Sequence, residues 1–457
     1  MGKSVVADEQ LWTYCKQYNP SKGYVIGLIL GQPSQAADYI VHLARIPPPD
    51  SINDEKPDDV NGKPKDVSGL SLSEIKESWV AAQALDVTRM LPGGFWVLGL
   101  FLIGSADPFE NQQSSSRLRT ILRHVHSELK KTPSLYGDSP SDKLLLHMNI
   151  QKNLVACRSV DLNGSAAFRP IDWKFQKSPL VWTQIESVLD LNYVKYLSKT
   201  DTSKQLRNQL QAILDPVSKQ INSSMCTLSN ELLEPDDQVE SIFKKRKGKS
   251  SKKSKDISED EPKSITANLY MPMGGTDLKP SSDAEVNNTF GIMYFIGGPV
   301  SRVFVHPKAT ADEASKAVKQ DFIRSLTARL QMHADSLVED EPSPPEDLET
   351  VHEPPRRVMI KLPSTSVTFS DYLFPGEGPE EALVSCKDLL DLTIESDDVE
   401  TDLEVHSESM TEQWSSQPNE GATTELTLAE NKNNYFIFIA LGALLVALLA
   451  FVIQLNR

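Results

Sequence analysis

Apolar residues along this chain change their spacing from one stretch to the next, and the changes lay out a succession of helices and strands. Residues 6–18 have helical spacing. Residues 24–31 form an unbroken apolar run, and 38–46 alternate in part before Pro47, Pro48 and Pro49, which lack the N–H that a continuing strand would need. These two read as paired strands. Residues 72–91 carry apolar side chains at helical spacing, with Ser71 or Ser73 as N-cap and Glu74 and Glu77 close behind, and Pro92-Gly93-Gly94 ends the helix. The next run, FWVLGLFLI over 95–103, is solidly apolar but less than half the ~20 residues of a membrane span, so it predicts a strand buried on both faces. An amphipathic helix is predicted over 114–131, and strands over 144–150, 153–160 and 181–189.

This order belongs to an α/β (α+β) domain over residues 1–200. A connecting region, 201–263, contains the basic run KKRKGKSSKKSK at 244–255, which has no apolar periodicity and reads as a disordered linker. A second, smaller α+β block over 264–337 is expected to hold strands at 266–271, 291–296 and 300–306 and a long helix at 309–337. Gly297-Gly298, between two apolar runs, predicts a hairpin turn. An acidic, Pro-rich linker spans 338–355, and a strand (357–362) and a helix (382–392) within 356–394 complete the block. Residues 395–434, acidic and rich in Ser and Thr, read as a flexible tether.

The run from Tyr435 to Leu455 has no charge and is built from Leu, Ile, Phe, Val and Ala. As a helix it covers roughly 31 Å, matching a hydrocarbon core of about 30 Å. Only Asn456 and Arg457 follow, so a transmembrane tail anchor is expected at 435–455. With no signal peptide visible at the N-terminus, the bulk of the chain is expected in the cytosol.

Composition then narrows the chemistry. A formal net charge of −16, and a basic run without interleaved aromatics, argue against nucleic acid as a partner. Cys15, Cys157, Cys226 and Cys386 show no CxxC spacing, which argues against a zinc finger and a disulfide framework. His124 and His126, with Ser134 and Asp138 downstream, approach the ligand pattern of a JAMM-type metalloprotease. Asp138 is one residue late, however, and histidines two apart on a helix diverge by about 200°. No Gly-x-Ser-x-Gly elbow or phosphate-binding glycine loop occurs. The residues therefore predict no catalytic set, no metal site and no cofactor. The competing classes are a JAMM-like isopeptidase using His124 and His126, and a tail-anchored fusion protein, which would need apolar heptads that 395–434 lacks.

Three strings carry a resemblance. They are Arg89-Met90-Leu91-Pro92-Gly93-Gly94 running into the buried strand, Gly27-Leu28-Ile29-Leu30-Gly31-Gln32 with Asp38-Tyr39 downstream, and Arg169-Pro170-Ile171-Asp172-Trp173-Lys174. With the tail anchor, they make the chain resemble the Odr-four (odorant-response-abnormal) family. The resemblance implies a single-pass protein of the endoplasmic reticulum membrane that helps multipass receptors fold and leave. It also implies a partner, the ubiquitin-fold-modifier-specific cysteine protease. The order of elements further resembles the MPN domain. On that resemblance Tyr24 replaces the catalytic glutamate, and Leu102 and Gly104 stand where two zinc-binding histidines would. The implied fold is a non-catalytic MPN-like domain with a second α+β block, linkers and one membrane helix.

Overall fold

The computed structural model describes residues 3–48, 69–164, 167–202, 204–243, 263–272, 290–338, 353–363 and 365–404. The predicted anchor from Tyr435 to Leu455, the basic run 244–255, most of the linker 338–355 and the tether beyond 404 lie outside them. Among the described residues no helix is long and apolar enough to cross a membrane.

The chain is mixed α/β. Its largest sheet is formed by β1 (Ser4–Asp8), β2 (Val25–Gln32), β3 (Ala37–Arg45), β4 (Trp96–Ile103), β5 (Asp142–Asn149), β6 (Leu154–Asp161), β7 (Arg169–Pro170) and β8 (Asp172–Gln176), in the order β7-β6-β5-β4-β2-β3-β1-β8. Only Ile171 separates β7 from β8, yet they stand at opposite ends of that order. β7 pairs antiparallel with β6, β8 pairs parallel with β1, and the Ile171 N–H donates to the Cys157 carbonyl at 3.1 Å. The segment 169–176 therefore closes the sheet on itself.

Closure gives the sheet an inside and an outside, and both are apolar. Ile29, Phe101 and Leu144 join one cluster with Trp173 and Phe175. Leu28, Leu100 and Leu145 join the other, beneath helices α2 (Glu77–Met90), α3 (Gln112–Lys130) and α8 (Pro379–Leu390). Both faces of β2, and of β4 beyond Trp96, are buried, which is why their sequences read as unbroken apolar runs.

A four-stranded sheet follows, with β9 (Thr183–Val188), β11 (Met225–Leu228), β12 (Lys263–Tyr270) and β14 (Val300–Val305) in the order β11-β12-β9-β14. It packs with α6 (Leu206–Ser223) and the long α7 (Ala311–Val338). The strands β10 (Leu191–Leu197) and β13 (Gly291–Gly297) form a two-stranded ribbon. A last sheet has the order β16-β15-β17, from β15 (Arg356–Lys361), β16 (Thr368–Leu373) and β17 (Val399–Glu400). Three further helices are short: α1 (Glu9–Cys15), α4 (Pro133–Tyr136) and α5 (Lys199–Thr202). The described residues belong to one compact unit.

The structure differs from the sequence reading at several places: the region 201–263, read as connecting, carries α6 and β11, and β9 and β10, read within the 1–200 domain, pair with β12, β14 and β13. Residues 6–18 are not one helix: Val5 and Ala7 are drawn into β1 by pairing with β3 and β8, and the helix begins only at Glu9. The helix predicted from 72 begins at Glu77, because Glu74 accepts the Ser71 N–H and hydroxyl, each at 2.7 Å, in a separate turn. Gly297-Gly298 is no hairpin: β13 pairs with β10 and β14 with β9, in one register that continues through Leu189 N–H to the Pro299 carbonyl at 3.1 Å. Residues 395–404 are not tether, since β17 pairs with β15 and Glu404 is buried.

The closing strand makes a direct test. Trp173→Ala should lower stability in urea unfolding by about 2–4 kcal/mol, as loss of a large ring from a core does. Lys174→Ala, which removes an exposed pair with Asp172, should change it by under about 0.5 kcal/mol.

Candidate functional site

The Arg89 to Gly94 string leaves α2 and turns sharply into β4. Met90 and Leu91 are buried. The Phe95 N–H donates to the Pro92 carbonyl at 3.2 Å, and Gly94 has φ +83°, a conformation that favours glycine. Helix α7 runs directly against this turn: a Cβ on Gly93 would stand 1.9 Å from the Ala317 carbonyl oxygen. Three α7 side chains take up the polar backbone. Asp321 Oδ1 accepts the Gly93 N–H at 2.8 Å and Gln320 Oε1 the Gly94 N–H at 2.9 Å. Arg324 donates to the carbonyls of Leu91 (2.9 Å), Pro92 (2.8 Å), Phe95 (3.2 Å) and Leu135 (2.8 Å).

Behind the turn, Arg357 of β15 grips Asp321 with two nitrogens, at 2.7 and 2.9 Å, and both side chains are fully buried. Arg357 also donates to Ser370 Oγ and the Val300 carbonyl. Burial by itself would lower the Arg357 pKa; the adjacent Asp321 carboxylate more than reverses this and raises it. Burial pulls the Arg324 guanidinium down to about 10. Gln32, from the second string, joins the same seam: its Nε2 donates to the Gly94 and Phe304 carbonyls, and its Oε1 accepts the His306 N–H at 2.8 Å. Two of the three strings thus meet at one structural clasp. Arg89 itself points away and pairs with Asp86 at 3.0 Å.

The third string is the closing strand of the barrel. Its Arg169, Pro170, Asp172 and Lys174 are exposed, and Trp173 is half-buried in the inner core.

The positions compared with an MPN metal centre lie around the ends of β2 and β4. Tyr24 and Gly104 come together, since a Cβ on Gly104 would fall 2.5 Å from the Tyr24 ring. The Tyr24 hydroxyl donates to the Ala106 carbonyl at 3.2 Å. His147 of β5 stands edge-on to the ring, 6.4 Å between centroids, with Nε2 3.1 Å from the Gly104 carbonyl; burial lowers its pKa. Leu102 is fully buried in the helix-covered core. None of the three positions offers a carboxylate or an imidazole. Among the described residues no group of three or more His, Cys, Asp or Glu could hold a metal ion.

His124 and His126 part company as helical geometry requires. His124 faces solvent, 4.0 Å from Glu128, while His126 points inward to a cavity of about 10 Å³ that Val97, Leu122 and Lys143 also line. That volume is at the limit for one water and too small for a substrate. Lys143 donates to the Val97 carbonyl (3.0 Å), Tyr136 hydroxyl (2.8 Å) and Ser139 hydroxyl (2.9 Å), and burial pulls its pKa down to about 7. Burial first, and then Lys143, push His126 down to about 4. Cys15, Cys157 and Cys386 are buried free thiols, Cys226 is half-buried, and burial raises the pKa of all four.

Two experiments test this description. Asp321→Ala should destabilise the protein by about 3–5 kcal/mol in chemical denaturation, because Arg357 is left as an unpaired buried charge. Adding Arg357→Met to Asp321→Leu should recover only part of the loss, since the Gly93 N–H still lacks its acceptor. For His126, the unfolded chain binds more protons than the folded one between about 4 and 6.5. Stability should therefore fall as pH drops through that window, and His126→Leu should flatten the slope.

Comparison with known proteins places these features in a wider set. The family described as Odorant response abnormal 4-like matches residues 27–401. The chain is similar to the Protein odr-4 homolog of Mus musculus, 26% identical over 463 residues that cover 98% of each chain. It is also similar to the homologues of Drosophila melanogaster, 26% identical over 87% of this chain and 86% of that one, and Homo sapiens, 27% identical over 91% and 89%. Among solved structures, UfSP from C. elegans aligns with 86% of this chain and 57% of its own at 10% identity, with a TM-score of 0.43.

Proposed function

Since this chain belongs to the Odorant response abnormal 4-like family, we propose that it is a non-catalytic adaptor, anchored in the endoplasmic reticulum membrane by 435–455, that assists the folding or trafficking of multipass receptors. In this reading it also recruits the ubiquitin-fold-modifier-specific cysteine protease to that membrane, and residues 1–200 are an MPN-like scaffold that has given up metal chemistry.

One contact carries the reading. At the corner where an MPN enzyme would hold zinc, the Tyr24 ring lies against the bare backbone of Gly104, and Leu102 is packed into core. A zinc centre needs lone pairs from imidazole or carboxylate and a base to activate water, and these side chains supply neither. The strings that carry the family likeness support the same reading, because two of them build a clasp and the third a barrel closure rather than a pocket. Anchoring a soluble partner beside membrane clients raises its local concentration without any chemical step.

The test is fractionation of cells expressing the intact chain or a version ending before Tyr435. The protease should sediment with membranes in the first case and shift to the soluble fraction in the second; a protease that stays on membranes with the shortened chain overturns the recruitment reading. Stoichiometric zinc in the purified protein would overturn the non-catalytic one.

A further inference from the structure

The ribbon of β10 and β13 leaves the four-stranded sheet behind. β12 pairs with β9 only over Thr183–Glu186, so beyond Val188 the two strands 191–197 and 291–297 continue as a pair of their own. Their alternate residues divide cleanly. On the inner face Tyr193, Met293 and Phe295 pack against the core that includes Leu210 and Ile213 of α6. On the outer face Val194, Tyr196, Ile292, Tyr294 and Ile296, with Phe290 just before the strand, are between 36% and 65% exposed. That is on the order of 500 Å² of apolar surface in one patch, at the upper end of what a monomer leaves open.

We infer that a second copy of this chain covers the outer face of the ribbon. The chemistry of the face selects this occupant. It carries no charged side chain, so nothing on it would fix the register of a charged partner. A chain of net charge −16 is repelled by an anionic bilayer. Two such chains approach most easily through a neutral surface, with their other charges screened beyond about 8 Å in physiological salt. The face is also self-complementary. Tyr196 is paired with Ile292 and Val194 with Tyr294, so successive rungs put the ring on alternate strands. A copy related by a two-fold axis can lay ring on aliphatic side chain in both directions. Two faces of this size bury about 1,000 Å², the threshold of a specific interface.

The test uses the full chain in detergent micelles, with protein mass measured by sedimentation and light scattering over a range of concentration. The wild type should reach the mass of a dimer at tens of micromolar. Combining Tyr196→Thr, Ile292→Thr and Ile296→Thr keeps residues that suit a strand and should weaken the dimer by at least tenfold, while Ile292→Val with Ile296→Val should leave it intact. Ile292→Cys should give a covalent dimer with a bis-maleimide, and Val384→Cys, exposed on α8, should not. A monomer at every concentration overturns the inference, as does a dimer indifferent to the threonine substitutions, which would assign association to another part of the chain. Ribbon-dependent binding of monomers to phosphatidylcholine–phosphatidylserine vesicles also overturns it.

Discussion

The carboxylate of Asp321 holds three distant segments at once. It accepts the Gly93 N–H at the turn into β4 and is gripped by two nitrogens of Arg357 from β15, while belonging itself to α7. Burying such a pair costs several kcal/mol per ion in desolvation, which the attraction offsets only when geometry is good and the remaining hydrogen-bonding capacity is met. Both conditions hold, because Ser370 and the Val300 carbonyl take further Arg357 donors. An apolar seam of equal volume could be as stable. The ionic one adds direction: only one placement of α7 brings Gln320, Asp321 and Arg324 to the turn together.

Around that clasp, a closed barrel carries helices on its outer face, and the second block is joined to it along α7, with Gln32 and Glu404 adding polar ties. Glu404 pairs with Arg329 and also accepts the N–H groups of Val300 and Arg357. Polar side chains inside this molecule are spent on joining segments. The buried Lys143, His126 and Tyr136 group follows the same pattern, facing a void too small for a substrate.

Much of the element order was legible because buried strands and amphipathic helices impose different periods, and β2, β3, β4, α3 and α7 fall close to where those periods place them. The misreadings have local causes. A five-residue strand such as β1 is too short to show a period, and its identity comes from neighbours more than thirty residues away. Gly297-Gly298 satisfies the composition of a turn, but whether a glycine pair turns or runs straight is decided by the strand beside it. The clasp was half legible. Pro92-Gly93-Gly94 announced a turn that needs glycine, whereas its partners lie more than two hundred residues further on. A local hint lay in Asp321 and Arg324, three apart on a helix and set among Val318, Phe322, Ile323 and Leu326. The positions compared with an MPN metal centre were named from three residue types; the contact of Tyr24 with Gly104 required the fold.

The closure of the barrel by residues 169–176 also sets an order of events during synthesis. β1, made first, has a neighbour on one side in β3 soon afterwards, but its other neighbour, β8, is not complete until Gln176 has left the ribosome. Until then one edge of an otherwise apolar sheet stands open, and parallel pairings across such a separation form slowly. Asp321, made later, waits a shorter span for Arg357. The nascent chain therefore passes through a long interval with an open barrel, and its vulnerability to aggregation is concentrated in that interval.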